Sequence, residues 1–348
     1  MAGARGYHSY RGRGSKGKAV LSVVLVVIIL AALAVIGLER YVVYDENGRP
    51  RLELPWEDAQ AAQEPDVPEE LEITIQPSEK HQGVRAIQLP DMPLESWDAA
   101  YQERVGMLET DDAVVLTMKD QAGNVYFDTQ HAVSGAVQTA AGTAGALEAL
   151  LQDESCRAIA RMSCFLDPRA ANADVEGMGL KNTGGYIFYD GAQTQWLDPN
   201  KRAARQYLCS LAQDLAALGF DEILLTDVSY PTEGKLDKID YGGAVRSQAI
   251  GTFLEELAAA LEPYDVTLAI ELPEHVLTQG SDDTAGLVLT DIAAQVERIY
   301  VRTTADRGQA LADAVAATGS AAGLVPELAA GTTVPEEGDV LRLPEQMS

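Results

Sequence analysis

Four histidines and three cysteines are the only imidazole and thiol ligands in this 348-residue chain. His8, His81, His131 and His275 lie far apart in sequence, and no Cys/His spacing fits zinc. That disfavours metal-dependent hydrolases, deacetylases included, and neither a metal nor another cofactor is expected. Cys156, Cys164 and Cys209 make no disulfide framework. The first two fall along one extended segment, too far apart to bridge, and the third is on the apolar side of a helix. All three read as small buried hydrophobes. Basic residues are also few, with Lys and Arg totalling 26 against 53 Asp and Glu, a net charge of −27. Arg5, Arg11, Arg13, Lys16 and Lys18 fall in residues 1–18, which hold no acid, so the remainder is strongly acidic. Such a surface repels phosphate backbones and excludes nucleic acid as a partner. Aromatic residues are only 6%, with three Trp, so flat faces for stacking a ligand ring are scarce.

One long apolar run is present. Residues 19–38, AVLSVVLVVIILAALAVIGL, carry no charge over 20 positions. A helix of that length spans about 30 Å of hydrocarbon. The basic residues precede it, so the N-terminus is expected in the cytoplasm and the bulk of the chain outside, on a single-pass anchor. A cleaved signal peptide with Ala32-Leu33-Ala34 as its small-residue site is the rival reading. It is disfavoured because the run exceeds an h-region of about 7–15 residues. Residues 39–83 then read as a juxtamembrane hairpin, turning at Asp45-Glu46-Asn47-Gly48, and an acidic, Pro-containing stalk.

From residue 84 to 348 the pattern is that of one domain. Candidate strands are 84–89, 113–118, 157–163, 222–227, 266–272, 298–302, 322–327 and 339–343. Most are continuously apolar, as parallel strands buried on both faces are. Helical periodicity is clearest over 201–218, with Gly219 as its C-cap, and over 245–261. Eight strands in this length predict an α/β fold, a (β/α)8 TIM barrel. An open doubly wound sheet lacks support, because no Gly-rich phosphate turn follows the first strand.

A barrel of this kind carries its active site at the C-terminal ends of its strands. That rule selects Lys119 and Asp120 after strand two, Arg161 in strand three, Asp227 and Tyr230 after strand four, Glu271 at the end of strand five, Arg302 after strand six and Glu327 after strand seven. Asp227 and Glu271 each close an apolar run, where a charge is costly unless paired or used. Two carboxylates across a cleft are what glycoside hydrolysis requires, one protonating the leaving oxygen and the other attacking or activating water. Arg161, in an inner strand, needs a carboxylate partner, and Asp227 is the expected one. Asp120 in KDQAGN doubles as a turn residue, and Asp167 and Asp198, each before a proline, read as caps or turns. Trp97, Tyr126, Tyr186, Tyr189, Trp196 and Tyr230 are the aromatics left for stacking a sugar, with Trp196 and Tyr230 foremost, and Lys119 is a further expected substrate contact.

Four stretches carry a resemblance. DDAVVLTMKDQAGNVYFDT (111–129), RAIARMSCFLDP (157–168), WLDPNKRAARQYLCSLAQDLAALGFDEILL (196–225) and the following TDVSYP are similar to patterns of a bacterial secreted or membrane-anchored glycoside-hydrolase family, distantly alpha-amylase-like. The likeness covers about residues 84–303 and fades over the last 45. It implies a barrel and a carbohydrate-active role. This chain departs from the pattern at Thr117 and Thr226, where the family carries acids, and at Ser229, where it carries an arginine. Asp227 follows one residue after the expected acid, which reverses a side chain's direction in a strand unless the backbone bends there. Two expectations result: a membrane-anchored hydrolase of a polysaccharide or cell-wall glycan using Asp227 and Glu271, supported by Arg161, Asp120 and Glu327; or a catalytically degenerate barrel that binds glycan or scaffolds at the cell surface.

Overall fold

The computed structural model describes residues 42–44, 50–52, 83–89, 113–140, 142–153, 156–335 and 338–344. It divides into two units, residues 1–77 and 78–348. In the first, β1 (Val42–Tyr44) pairs antiparallel with β2 (Pro50–Leu52), Val42 opposite Leu52, as the expected hairpin requires. The apolar run 19–38, the stalk and Trp97 lie outside the described residues. Within them, no helix is long and apolar enough to cross a membrane.

The second unit is built on a closed barrel of eight parallel strands. In order around the ring they are β3 (Arg85–Gln88), β4 (Ala113–Lys119), β5 (Arg157–Ser163), β6 (Glu222–Thr226), β7 (Thr267–Glu271), β10 (Arg298–Arg302), β11 (Gly323–Leu328) and β12 (Val340–Arg342). β12 pairs back onto β3 and closes it. All eight expected strands are therefore present, their ends within about two residues of the expected ones. Between β7 and β10 a small antiparallel ribbon, β8 (Ser281–Asp282) with β9 (Leu287–Val288), is inserted.

The wall helices follow from their apolar faces. α1 (Thr143–Leu151) precedes β5, and the short α2 (Pro168–Ala173) follows it. α3 (Arg202–Leu218) buries Ala204, Tyr207, Leu208, Leu211, Ala212 and Leu215, six of the seven residues its periodicity selects; the seventh, Leu218, is exposed in the last turn, and Gly219 ends the helix at φ 103°. Each buried leucine there contributes about 1.5–3 kcal/mol. α4 (Arg246–Leu261) presents Phe253 edge-on to Phe165 beyond β5, with ring centroids 4.9 Å apart. α5 (Glu274–Gln279), α6 (Leu289–Ala293) and α7 (Gly308–Ala316) complete the described wall.

Inside the barrel, residues alternate with period two and stack in layers. The middle is apolar, formed by Val84, Ala86, Ala113, Val115, Ile159, Leu224, Ala269, Tyr300, Val325 and Leu341. The N-terminal end is plugged by an ionic cluster. Glu222 is fully buried, pairs with Arg298, sits 3.7 Å from Arg157 and accepts a 2.6 Å hydrogen bond from the Tyr300 hydroxyl. With that end sealed, the polar layer at the opposite end is left as the place where a ligand can reach the lumen.

Candidate active site

The polar layer is organised by one guanidinium. Arg161 points inward from β5, two residues beyond Ile159 of the apolar layer. It donates 3.0 Å to Glu327 Oε1 at the end of β11 and ion-pairs with Glu271 at the end of β7. A longer 3.4 Å contact reaches Gln88 Oε1 on β3. Burial disfavours the charge on Arg161, but Glu327 and Glu271 outweigh it and raise its pKa. The expected Arg161–Asp227 pair is not the one formed: the guanidinium is taken by two other carboxylates, and Asp227 acts on it only at longer range.

Glu327 is fully buried, and its Oε2 has no hydrogen-bond partner among the described residues. Glu271 is half-buried. Desolvation first, then the adjacent Glu327, pushes its pKa up from 4.5 to about 7, with Arg161 opposing. At neutral pH this carboxyl therefore keeps its proton about half the time.

Asp227 has a different setting. Its backbone is left-handed at φ 54°, one of two non-glycine residues with positive φ among those described. An L-residue there costs about 1–2 kcal/mol, least for Asp and Asn. The turn returns the carboxylate to the side of the inward-facing Ser163 and Thr226. Oδ2 accepts from Ser163 Oγ (2.7 Å) and Thr226 Oγ1 (3.0 Å), and Oδ1 from Gln121 Nε2 (3.0 Å). The backbone bend thus offsets the one-residue displacement seen in the sequence.

A polar cleft of about 370 Å³ opens here, lined by Gln88, Thr117, Gln121, Arg161, Ser163, Thr226 and Arg302, among others. Asp227, Glu271 and Glu327 stand one hydrogen bond behind this lining: Gln121, Ser163 and Thr226 hold Asp227, and Arg161 holds both glutamates. The expected site residues Arg161, Asp227, Glu271 and Glu327 are thus brought together.

Four other expected residues are placed differently. Lys119 is 1% exposed, 2.9 Å from the fully buried Asp167, and donates 2.7 Å to the Ser163 carbonyl. A bulge in β4 between Thr117 and Lys119 puts Lys119 opposite Met162, an outward-facing residue. Lys119 therefore borders the cleft, but its ammonium is committed to the buried pair with Asp167 instead of standing free for a substrate. Tyr230 is fully buried against Tyr241, and its hydroxyl has no partner among the described residues. Trp196 is 9% exposed and donates Nε1 to Asp190 Oδ2 at 2.8 Å. Neither offers a face to a sugar. Asp120 is at the cleft edge, but its oxygens are occupied within its own turn by Ala122 N, Asn124 N, Asn124 Nδ2 and the Tyr126 hydroxyl.

Of the two acids expected as caps, one differs. Asp167 caps α2 by accepting from Ala170 N at 2.8 Å, as expected. Asp198 closes the turn at Asn200 (2.9 Å), and Lys201 occupies the N-cap of α3. Ser163, Gln88 and Gln121 were not selected from the sequence. Counting by two from Arg161 picks out Ser163, and from Ala86 picks out Gln88; Gln121 reaches Asp227 from a loop and carried no signal.

The chain is similar to known proteins. Residues 98–301 match the family described as "Putative glycosyl hydrolase domain". The chain belongs to that family. The matched region includes Arg161, Asp227 and Glu271 and ends before Arg302 and Glu327, where the sequence resemblance also fades. Among solved structures, it is similar to the PgaB (BpsB) glycoside hydrolase domain from Bordetella bronchiseptica, at 14% identity and TM-score 0.54, over 75% of this chain and 93% of that one. At that identity the likeness shows the fold alone. A hypothetical protein from Ruminiclostridium thermocellum aligns at 22% identity and TM-score 0.42, over 54% and 96% of the two chains. The glycoside hydrolase domain of PelA from Pseudomonas aeruginosa aligns at 14% and 0.39, over 71% and 83%. No curated protein matches the chain.

Proposed function

We propose that this family member hydrolyses a glycosidic bond in a polysaccharide or cell-wall glycan, with Glu271 as general acid and Asp227 as nucleophile or base. The observation that carries the reading is the contrast between the two carboxyls. Glu271 is held protonated near neutrality by burial and Glu327, whereas Asp227 accepts hydrogen bonds from a serine, a threonine and a glutamine. A carboxyl raised by burial beside a second one held by hydrogen-bond donors is an arrangement that can supply both an acid and a nucleophile. Arg161 and Glu327 position Glu271 from behind the cleft, and Gln121 is the donor a substrate would displace from Asp227. No metal is needed for this chemistry, which is proton transfer and displacement at carbon. The apolar run 19–38 would hold the barrel at the outer face of a membrane.

The experiment is release of new reducing ends from a panel of wall and extracellular polysaccharides by the full chain, beside Asp227→Asn and Glu271→Gln. Turnover lost by about 10³-fold or more in both supports the assignment. Binding without turnover in all three supports the second reading, a barrel that binds glycan without cleaving it. That reading is favoured by one observation: Thr117 and Thr226 line the cleft where the resemblance implies acids.

A further inference from the structure

The cleft lacks the feature that most often gives a polysaccharide its grip. None of its lining residues is aromatic. Yet two tyrosines stand in water elsewhere on the barrel. Tyr186 is 75% exposed and Tyr189 48%, in a chain whose other described large aromatics are at least partly covered.

Their position follows from the topology. They belong to the loop that leaves the C-terminal end of β5. That loop is zipped to the loop leaving the C-terminal end of β6, with Thr183 N donating 2.8 Å to the Lys238 carbonyl and Asp240 N 2.9 Å to the Lys181 carbonyl. The last residues of the same two strands, Ser163 and Thr226, line the cleft and bind Asp227. Tyrosines and cleft are therefore carried on one pair of strands at one end of the barrel.

The loop is also built to hold shape. Phe188, between the two tyrosines in sequence, is buried, and Trp196 is buried and hydrogen-bonded to Asp190, the residue after Tyr189. Asp190 Oδ1 in turn accepts from Ala192 N and Thr194 N, closing a tight turn. Gln193 in that turn is the second of the two non-glycine residues with positive φ. Backbone strain of this kind persists only where the surroundings over-determine it. A segment that invests a buried Trp, a buried Phe and a strained turn, and leaves two aromatic rings in solvent, is a preformed surface. The backbone beneath the rings is thus already ordered, and what binding still has to fix is the rotamers of the two exposed side chains.

We infer that Tyr186 and Tyr189 form a stacking platform for an extended chain of hexopyranose rings, a distal subsite feeding the cleft. The inference rests on the glycan reading of the cleft and names what that reading leaves open: the substrate is a polymer long enough to reach from the cleft to the loop. The C–H face of a pyranose lies flat on a tyrosine ring, an amphipathic contact that excludes water and tolerates variation in substituents. Each ring is worth about three- to tenfold in affinity.

The test is affinity electrophoresis of the full chain through gels containing soluble glycan strands from cell walls, chitin oligosaccharides of graded length, mixed-linkage β-glucan or glycogen. The variants are Tyr186→Ala/Tyr189→Ala, Tyr186→Phe/Tyr189→Phe, and Leu218→Ala as an exposed apolar control at the other end of α3. For a polymer that retards the wild type, the double alanine variant is expected to weaken retention by about ten- to hundredfold in Kd. The phenylalanine pair should stay within about twofold, since the stacking face remains, and the leucine control should be unchanged. The loss should grow with oligosaccharide length and vanish for the shortest ligand that is still retained. Retention equal in wild type and double alanine variant overturns the platform and leaves the glycan reading standing. Retention of the wild type by no polymer overturns both.

Discussion

Replacing Glu327 with glutamine is expected to lower the pKa of Glu271 without disturbing the carboxyl itself. The two glutamates hold the two terminal nitrogens of one guanidinium, Arg161; for like charges on the order of 6 Å apart at an effective dielectric of about 20, the repulsion is about 3 kcal/mol, or about two pK units. Burial is the larger cause of the rise from 4.5 to about 7 and is untouched by the change, so a fall of about one to two units is expected. Taking about 5.5 as the new midpoint, the protonated fraction at pH 7 drops from about one half to about 3%. If Glu271 is the general acid, the rate at pH 7 falls about 15-fold, and the descending limb of the pH profile moves down by the same one to two units. The shift can be read without turnover, by carbon NMR of the glutamate carboxyls during titration. Stability carries the same sign. A carboxyl raised in the folded state adds stability that is fully present below about pH 4.5 and is lost as pH rises through about 7, by about 3 kcal/mol at most. In Glu327→Gln that pH-dependent loss should roughly halve. Titration of Glu271 near the ordinary carboxylate value in the wild type, or at about 7 in both proteins, would refute the reasoning.

Substitutions at three positions test the surrounding architecture. At Asp227, glycine should give a fold about 1 kcal/mol more stable than alanine in denaturant titration, because both lose the same hydrogen bonds and only alanine keeps a Cβ at φ 54°. Lys119→Met should cost about 3–5 kcal/mol at pH 7, because it leaves Asp167 buried without its cation; a cost below about 1 kcal/mol would mean the pair is not closed. Gly123→Ala should cost about 2–4 kcal/mol, since the residue has φ 79° and a Cβ would lie 2.2 Å from Asp167 Oδ1, the oxygen that caps α2; an unchanged melting temperature would contradict that close approach.

The eight strands were legible because parallel strands buried on both faces are continuously apolar; that they close into a ring and do not form an open doubly wound sheet is shown by β12 pairing with β3. The α3 face and its Gly219 cap were legible for the same local reasons. The C-terminal-edge rule then selected Arg161, Asp227, Glu271 and Glu327 without any distance. Composition alone excluded a disulfide framework and disfavoured nucleic acid as a partner.

Tertiary structure decided what those residues touch. A bulge that sequence cannot place set Lys119 at the border of the cleft with its ammonium committed to Asp167. Closure of the ring brought β11 and β7 to the same side of Arg161, so the guanidinium went to Glu327 and Glu271 and left Asp227 to Ser163, Thr226 and Gln121. The loop fold buried Trp196 and exposed Tyr186 and Tyr189, reversing which aromatics can meet a ligand, because burial depends on what packs behind a ring and not on the ring. Periodicity is a property of neighbours along the chain, and it fixed the scaffold. Pairing, exposure and proton affinity are properties of neighbours across it, and only the closed barrel supplied them.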